Sequence, residues 1–407
     1  MSEIIHLQLG QCGNQIGSKF WECISDEHCI DTTTGIYYGQ SDQYLERIHT
    51  YYREVDEKYL PRAVLVDFDS EMMNGIRNGP LGKFFASDKM ISGEYGCGSN
   101  WGHGYCDQGN ELIDDVVNVI RREVEFCDNL QGFQISHSII GGTGSGFGSL
   151  LMNKLREDYP DRLIMTFSCF TSSEIDECVI EPYNIVLGLH HLIENVDMTC
   201  CFHNELLYKI CSQTKSSPTF NHLNNFISKV MSGLTTCFRF PDQINNDMRK
   251  FTINMIPFPC LHFLCPSFAP FYSSNNLLTV HELTKQIFDE RNLIFPCNIQ
   301  QGQSFGMTTI FRGQISMKEL DYLSSETMKI SLSTIPLKEF QLSSTLIRNH
   351  TGIQDIFKSF LQKFSTMFRR KLYIFGLTRS GLDEMEFTEA ENNLQELINE
   401  YENIIST

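Results

Sequence analysis

No two cysteines in this sequence are spaced CxxC, although it holds fifteen of them in 407 residues. Zinc ribbons and thioredoxin-type redox motifs need that spacing and are excluded. No leader pattern precedes the first strand signal, because Met1-Ser2-Glu3-Ile4 runs straight into it. The cysteines therefore read as reduced thiols of a cytosolic chain. Cys97, His103 and Cys106 sit in a glycine-rich stretch without a matching fourth ligand, so no metal cluster is expected there. No apolar run approaches the roughly 18 residues of a membrane span. Positive charge is scarce: 32 Lys and Arg against 50 Asp and Glu leave a formal charge of −18. Such a surface repels nucleic acid and anionic membranes and suits basic partners, though in most acidic proteins it serves solubility alone. The charge gathers in no run, and there is no internal repeat or low-complexity segment.

What is present is alternation. Ile5, Leu7 and Leu9 alternate with His6 and Gln8, a strand pattern that opens into Gly10-Gln11-Cys12-Gly13. Ile16, Phe20, Trp21 and Ile24 then recur at helical spacing. Further strands are predicted at Ala63–Val66, ending at Asp67, at Phe133–Ile140 and at Leu163–Phe167, with a helix from Leu150 to Leu155 between the last two. Strand, loop and helix in repetition predict an α/β fold with a parallel sheet covered on both faces. Ligands of such sheets bind at the carboxyl ends of the strands. Residues 215–240 read as a helix joining two domains, followed by short strand-like runs at Leu261–Leu264 and Thr308–Phe311. Thr351 with Gln354, and Thr388 with Glu391, have capping-box spacing. Behind the first lie Ile353, Ile356, Phe357, Phe360, Leu361 and Phe364, and behind the second Leu394, Leu397, Ile398, Tyr401 and Ile405, each set one apolar helix face.

The segment Gly141-Gly142-Thr143-Gly144-Ser145-Gly146 lies between a buried strand and a helix. Glycines there let backbone N–H groups crowd round an anion, Thr143 and Ser145 add hydroxyls, and the following helix points its positive end at the same spot. This is chemistry for a di- or triphosphate; the competing reading is a flexible surface turn. It is neither GxxxxGK[ST] nor a dinucleotide fingerprint, since both spacings are absent. Together with the Gly10 turn and a third loop at Gly96-Cys97-Gly98, it is expected to surround one nucleotide.

Several long segments resemble tubulin. They are Gln8-Leu9-Gly10-Gln11-Cys12-Gly13-Asn14-Gln15-Ile16-Gly17, Gly141 to Gly146, Glu181-Pro182-Tyr183-Asn184, Phe368-Arg369-Arg370-Lys371 and Asp383 to Glu391. Ser232 to Pro241 resembles the β class, and the similarity runs from residue 1 to about 405. The resemblance implies a tubulin-type α/β fold: a parallel-sheet GTP-binding domain over 1–200, a core helix and smaller mixed α/β intermediate domain over 201–347, and a C-terminal helical hairpin over 348–407. It implies GTP or GDP with Mg²⁺. Gln11, Cys12, Ser138, Gly141, Gly142, Thr143, Gly144 and Ser99 would meet the phosphates, with Asp69 near the attacking water. Gln15, Asn204 and Asn224 would bond guanine, with Phe220 stacked on it where the family usually has tyrosine. Glu177 and Glu181 would lie on the ribose side, and Asp67 and Asp69 near Mg²⁺.

The resemblance further implies α-tubulin and other tubulin subunits as partners, in cytoplasmic microtubules, with specialised or ciliary microtubules as the alternative. No catalytic residue is complete within one chain: Asp247 and Lys250 would complete the partner's site, and Lys250 stands where α-type subunits carry a water-activating glutamate. The departures are Ile140 for the loop's first glycine, Ser99 for asparagine, Asp69 for glutamate, and a short Phe271–Leu278 segment where tubulins grip a neighbouring protofilament. An interface strand and loop are expected to be missing around Met328–Ile335. Without an acidic tail after Thr407, few tail-docking partners are expected. These changes put efficient GTP turnover in question and leave a regulatory or capping role as the alternative to a lattice subunit.

Overall fold

The structure, a computed structural model, describes residues 2–170, 178–213, 217–241, 247–271, 278–316, 319 and 328–406. Its strands are β1 (Glu3–Leu9), β2 (Tyr52–Val55), β3 (Lys58–Pro61), β4 (Ala63–Asp67), β5 (Met90–Ser92), β6 (Leu130–Ser138), β7 (Leu163–Phe170), β8 (Met198–His203), β9 (Phe263–Ala269), β10 (Ser304–Arg312), β11 (Met328–Ser333) and β12 (Ser343–His350). The helices are α1 (Gly10–Glu27), α2 (Ser70–Asn78), α3 (Gln108–Glu125), α4 (Gly148–Asp158), α5 (Glu181–Asn195), α6 (Asn204–Ser212), α7 (Phe220–Arg239), α8 (Met248–Met255), α9 (Val280–Ile287), α10 (Gln354–Arg369), α11 (Ile374–Thr378) and α12 (Glu384–Ser406).

One sheet of ten strands runs through the molecule in the order β11-β10-β12-β9-β8-β7-β6-β1-β4-β5. From β8 to β5 every pairing is parallel, as the alternating strand and helix signals predict. β9 joins β8 in parallel through Thr199↔Phe263 and Cys200↔Leu264. Beyond it β12 and β10 pair antiparallel, and β11 lies parallel to β10 at the edge. Met328–Ser333 thus forms a strand in the region where an interface strand was expected to be missing.

Each face of the sheet carries its own core. Ile5, Leu7 and Leu9 of β1 pack with residues of α3, α4, α5, α10 and α12, whereas Ile4 packs with residues of α1, α2, α7 and α8. With helices on both faces, every residue of β1 is buried, including the polar ones. His6 is satisfied by Ser136 Oγ at 2.8 Å and by the Trp21 indole N–H at 3.1 Å. Burial pushes its pKa down to about 3, so it stays neutral.

α7 crosses the second core, and at its end three elements meet in a buried ion cluster. Glu27 of α1 lies 2.7 Å from Arg239 of α7 and 2.9 Å from Arg312 of β10, and the Ser232 hydroxyl donates to it at 2.5 Å. Burial alone would raise the Glu27 carboxyl, but the Arg312 and Arg239 guanidinium groups hold it well below the ordinary carboxylate range.

The C-terminal helices present the predicted faces, with Phe357, Phe360, Phe364, Leu394, Leu397, Ile398 and Tyr401 buried. Their starts differ from expectation. The Thr351 hydroxyl accepts from Gln303 N–H, while His350 Nδ1 accepts from Gly352 N–H and caps the turn before α10. α12 begins at Glu384, which leaves Thr388 inside it with its hydroxyl donating back to the Glu384 carbonyl. A threonine within a helix can bond its own preceding turn, so the sequence spacing alone mimicked a cap.

Candidate functional site

Because β1, β4, β6, β7 and β8 are parallel, Leu9, Asp67, Ser138, Phe170 and His203 end on one edge of the sheet. Gly10 follows β1 at φ +70, a value open to glycine at little cost, and starts α1 at once. A Cβ there would lie 3.3 Å from the Gly144 nitrogen, so the first turn and the glycine loop touch. Asn14 fixes this turn by donating to the carbonyls of Gly10 at 2.9 Å and Val66 at 3.0 Å.

The glycines from 141 to 146 are not equivalent. A Cβ on Gly142, Gly144 or Gly146 would run into Asn100 O, Ser138 O or Trp101 O at 2.6, 2.5 and 2.2 Å. These three allow close backbone packing. A Cβ on Gly141, or on Gly98 of the facing loop at φ +54, meets nothing within 4 Å. Gly142 N–H donates to Gly98 O at 3.0 Å, so the two loops form a pair with an open glycine on each. The expected convergence of three glycine turns is therefore present.

Asn184 of α5 locks that pair together. Its side-chain amide donates to Ser99 O at 2.5 Å and Ile140 O at 2.6 Å, and its oxygen accepts the Trp101 N–H at 3.2 Å. Sequence reading quoted Asn184 in a motif without giving it this role; an asparagine two residues after a proline at a helix start carries no signal of its partners. Ser145 corrects another expectation: its hydroxyl donates to Asn184 O at 3.0 Å and is turned into the protein. Burying a hydroxyl requires a partner, and the nearby helix carbonyl supplies it. Thr143 is buried as well, with its side chain hydrogen-bonded to the Cys97 thiol. Ile140 is 7% exposed and joins the core.

Two carboxylates flank the loops. Asp67 ends β4 and is 3% exposed. One oxygen accepts from Asp69 N–H at 3.3 Å; the other is buried without a hydrogen-bond partner among the described residues. Burial raises its pKa to about 6. A buried, half-paired carboxylate suits a hard cation or its waters. Asp69 is exposed and caps α2, accepting from Glu71 N–H at 2.9 Å. Beside the first turn, Cys12 hydrogen-bonds Cys169 at the end of β7, a contact that with burial raises the Cys169 thiol far above its usual range.

On the outer side of α1 a cavity of about 880 Å³ is lined by Gln11, Gln15, Asp69, Phe220 and Asn224. The Asn224 amide donates to Gln15 Oε1 at 3.1 Å. Phe220 opens α7 and is 61% exposed, an unusual state for phenylalanine and one that leaves its ring free to stack. Ser138 and Ser99 sit at the roots of the two glycine loops, Ser138 through its hydroxyl on Ile140 N–H at 3.3 Å. Asn204 opens α6 at the end of β8 and Glu181 opens α5, buried; neither lines the cavity. Glu177 lies outside the described residues, as do 272–277 of the short lateral segment. Asp247 caps α8 and Lys250 stands on it; neither lines this cavity, Asp247 accepts the Lys250 N–H at 2.7 Å and the Lys250 side chain is exposed.

Among the described residues no helix is long and apolar enough to cross a membrane. Residues 3–212 match the model of the Tubulin/FtsZ family, GTPase domain, and residues 259–330 match the tubulin C-terminal domain. The first match alone takes in β1 to α6 and all three glycine turns. By fold, by the cradle at the sheet edge and by these matches, the chain belongs to the Tubulin/FtsZ family, whose GTPase domain binds GTP or GDP.

Proposed function

We propose that the chain is a β-tubulin-like cytoskeletal subunit that pairs with α-tubulin in cytoplasmic microtubules. The observation that carries the nucleotide part is the pair of open glycines, Gly98 and Gly141, on two hydrogen-bonded loops at the sheet edge where the half-paired Asp67 ends β4. The phosphates would rest on that pair and on the backbone after Gly10, near Gln11 and Cys12. Guanine would stack on Phe220 and bond Gln15, Asn224 and Asn204, with Glu181 and Glu177 toward the ribose. Asp67 and Asp69 would hold a Mg²⁺ ion, which supplies charge neutralisation on the phosphate oxygens.

Hydrolysis is proposed only in the assembled filament. Asp67 and Asp69 are taken up by the proposed cation site, and Asp69 also caps α2. The water-activating group is proposed to come from the next subunit, as the resemblance to tubulin implies. Lys250, exposed on α8, supports the β-type assignment, because a charged ammonium accepts no proton and instead attracts phosphate. It would cover the partner's GTP without hydrolysing it.

Co-expression of a tagged chain with α-tubulin tests both parts. A heterodimer on size exclusion and labelling along whole microtubules are expected. Absence of any heterodimer sinks the pairing. Labelling confined to microtubule ends replaces the lattice role with a capping one.

A further inference from the structure

A second chemical cluster lies away from the nucleotide site. Cys297 is half-buried in the segment before β10 and lines a cavity of about 410 Å³ with Leu206, Phe295, Asn298 and Gln300. That segment is stitched to β9, where Ile294 N–H donates to Pro266 O at 3.2 Å and Leu293 bridges Ser267. Buried Cys265 of β9 is thereby brought into hydrogen-bond contact with Cys297. From β12, whose Arg348 pairs with Cys265 in the sheet, two basic side chains reach the same place. Cys297 Sγ lies 3.6 Å from His350 Nδ1. That nitrogen also accepts the Gly352 N–H at 2.9 Å, so it is held as an acceptor and the thiol is the donor. Arg348 is 2% exposed, and its Nε has no hydrogen-bond partner among the described residues.

The electrostatics separate the two thiols. The Cys265 hydrogen bond, with His350 and Arg348, pulls the Cys297 thiol below its ordinary range against the opposing effect of burial. The same contact and burial push Cys265 up. A thiol that lines a cavity and has His350 and Arg348 behind it is the reactive kind, even with Glu290 also in the lining, and a buried thiol beside it is placed to resolve it.

We propose that Cys297 is a hydroperoxide-reactive modification site with Cys265 as its resolving thiol. The Cys297 sulfur attacks one peroxide oxygen as its proton leaves toward the departing oxygen. The S–O bond forms as the O–O bond breaks, and the departing alkoxide or hydroxide takes up the proton as alcohol or water. The Cys265 sulfur then displaces hydroxide from the sulfenic acid, giving the disulfide and, with the Cys265 proton, one water. The two thiols lose two electrons and the hydroperoxide gains them. The product ties the 293–297 segment covalently to β9.

Thiol mapping on the full chain tests this. Before oxidation, Cys297 should react with iodoacetamide about tenfold faster than Cys260, which is more exposed but whose thiol burial and Glu400 push up. After hydrogen peroxide, peptide mass spectrometry should find a Cys265–Cys297 link that reductant removes. In Cys265→Ser, dimedone should capture a sulfenic acid at Cys297. Alkylation of Cys297 no faster than that of Cys260 overturns the proposal, as does peroxide treatment that leaves both thiols alkylatable. The two measurements on the unaltered chain stand whether or not the variant folds.

Discussion

Asp67 is the residue whose state reports most directly on the site. Its carboxyl has a pKa near 6 in the folded chain against an ordinary 3.8. A raised folded value favours the protonated form on folding. That contribution is complete below about pH 4 and is lost as pH rises through about 6. Without nucleotide and Mg²⁺, thermal stability should therefore fall between pH 4 and 7, and Asp67→Asn should flatten that part of the profile in differential scanning fluorimetry. On the proposed Mg²⁺ site, the same variant should weaken Mg²⁺-dependent nucleotide binding by about 10- to 100-fold in calorimetry, because a neutral amide would replace the anion assigned to the cation. The open glycines allow a second contrast. Gly141→Ala meets no protein atom within 4 Å. It should leave the melting temperature nearly unchanged while reducing nucleotide affinity about tenfold, by filling ligand space. Gly144→Ala meets the Ser138 carbonyl at 2.5 Å and should lower stability by about 1–3 kcal/mol. Equal effects of the two on stability would count against the open cradle.

At the scale of elements, the glycine loops hold their shape through α5. Asn184→Ala strands the Ser99 and Ile140 carbonyls and the Trp101 N–H. Chemical denaturation should show a loss of about 3 kcal/mol, and nucleotide affinity should fall with it; Asn184→Asp, which sets a buried carboxylate oxygen against the Ser99 and Ile140 carbonyls, should be no more stable than Asn184→Ala. This hub also marks what the sequence could and could not say. The glycine loop and the helix after Gly10 were legible, because glycine spacing and apolar periodicity are local. So was the parallel half of the sheet. Phe220 came only through the resemblance to tubulin. The inward turn of Ser145, the capping by His350 of the turn before α10 and the three bonds of Asn184 were not legible. Each depends on a partner 39 to 85 residues away or on competition between two nearby caps. Met328–Ser333 pairs as a strand for the same reason, since β10 supplies its ladder from elsewhere in the chain.

Across the whole molecule the buried triad of Glu27, Arg239 and Arg312 ties α1 and α7 to the antiparallel end of the sheet. The depressed Glu27 value means its stabilisation is present above about pH 4.5 and is lost as pH falls toward the folded value. Acid unfolding followed by circular dichroism should begin in that window. Glu27→Gln should remove this part of the acid dependence and cost roughly 3–5 kcal/mol at neutral pH, because two arginines are left buried without their anion. An unchanged acid limb would assign the pH response elsewhere. The same triad bears on the junction between β8 and β9. Six residue pairs register between β7 and β8, but only two between β8 and β9. The sheet is thus continuous in outline but thinly paired at one ladder, and the Glu27 carboxylate is one tie across it, beside the shared cores and the Lys338–Asp26 ion pair at 2.8 Å. Any bending of the nucleotide half against the other half has its natural fold line there, and whatever neutralises or displaces Glu27 loosens the joint without touching the site that binds GTP.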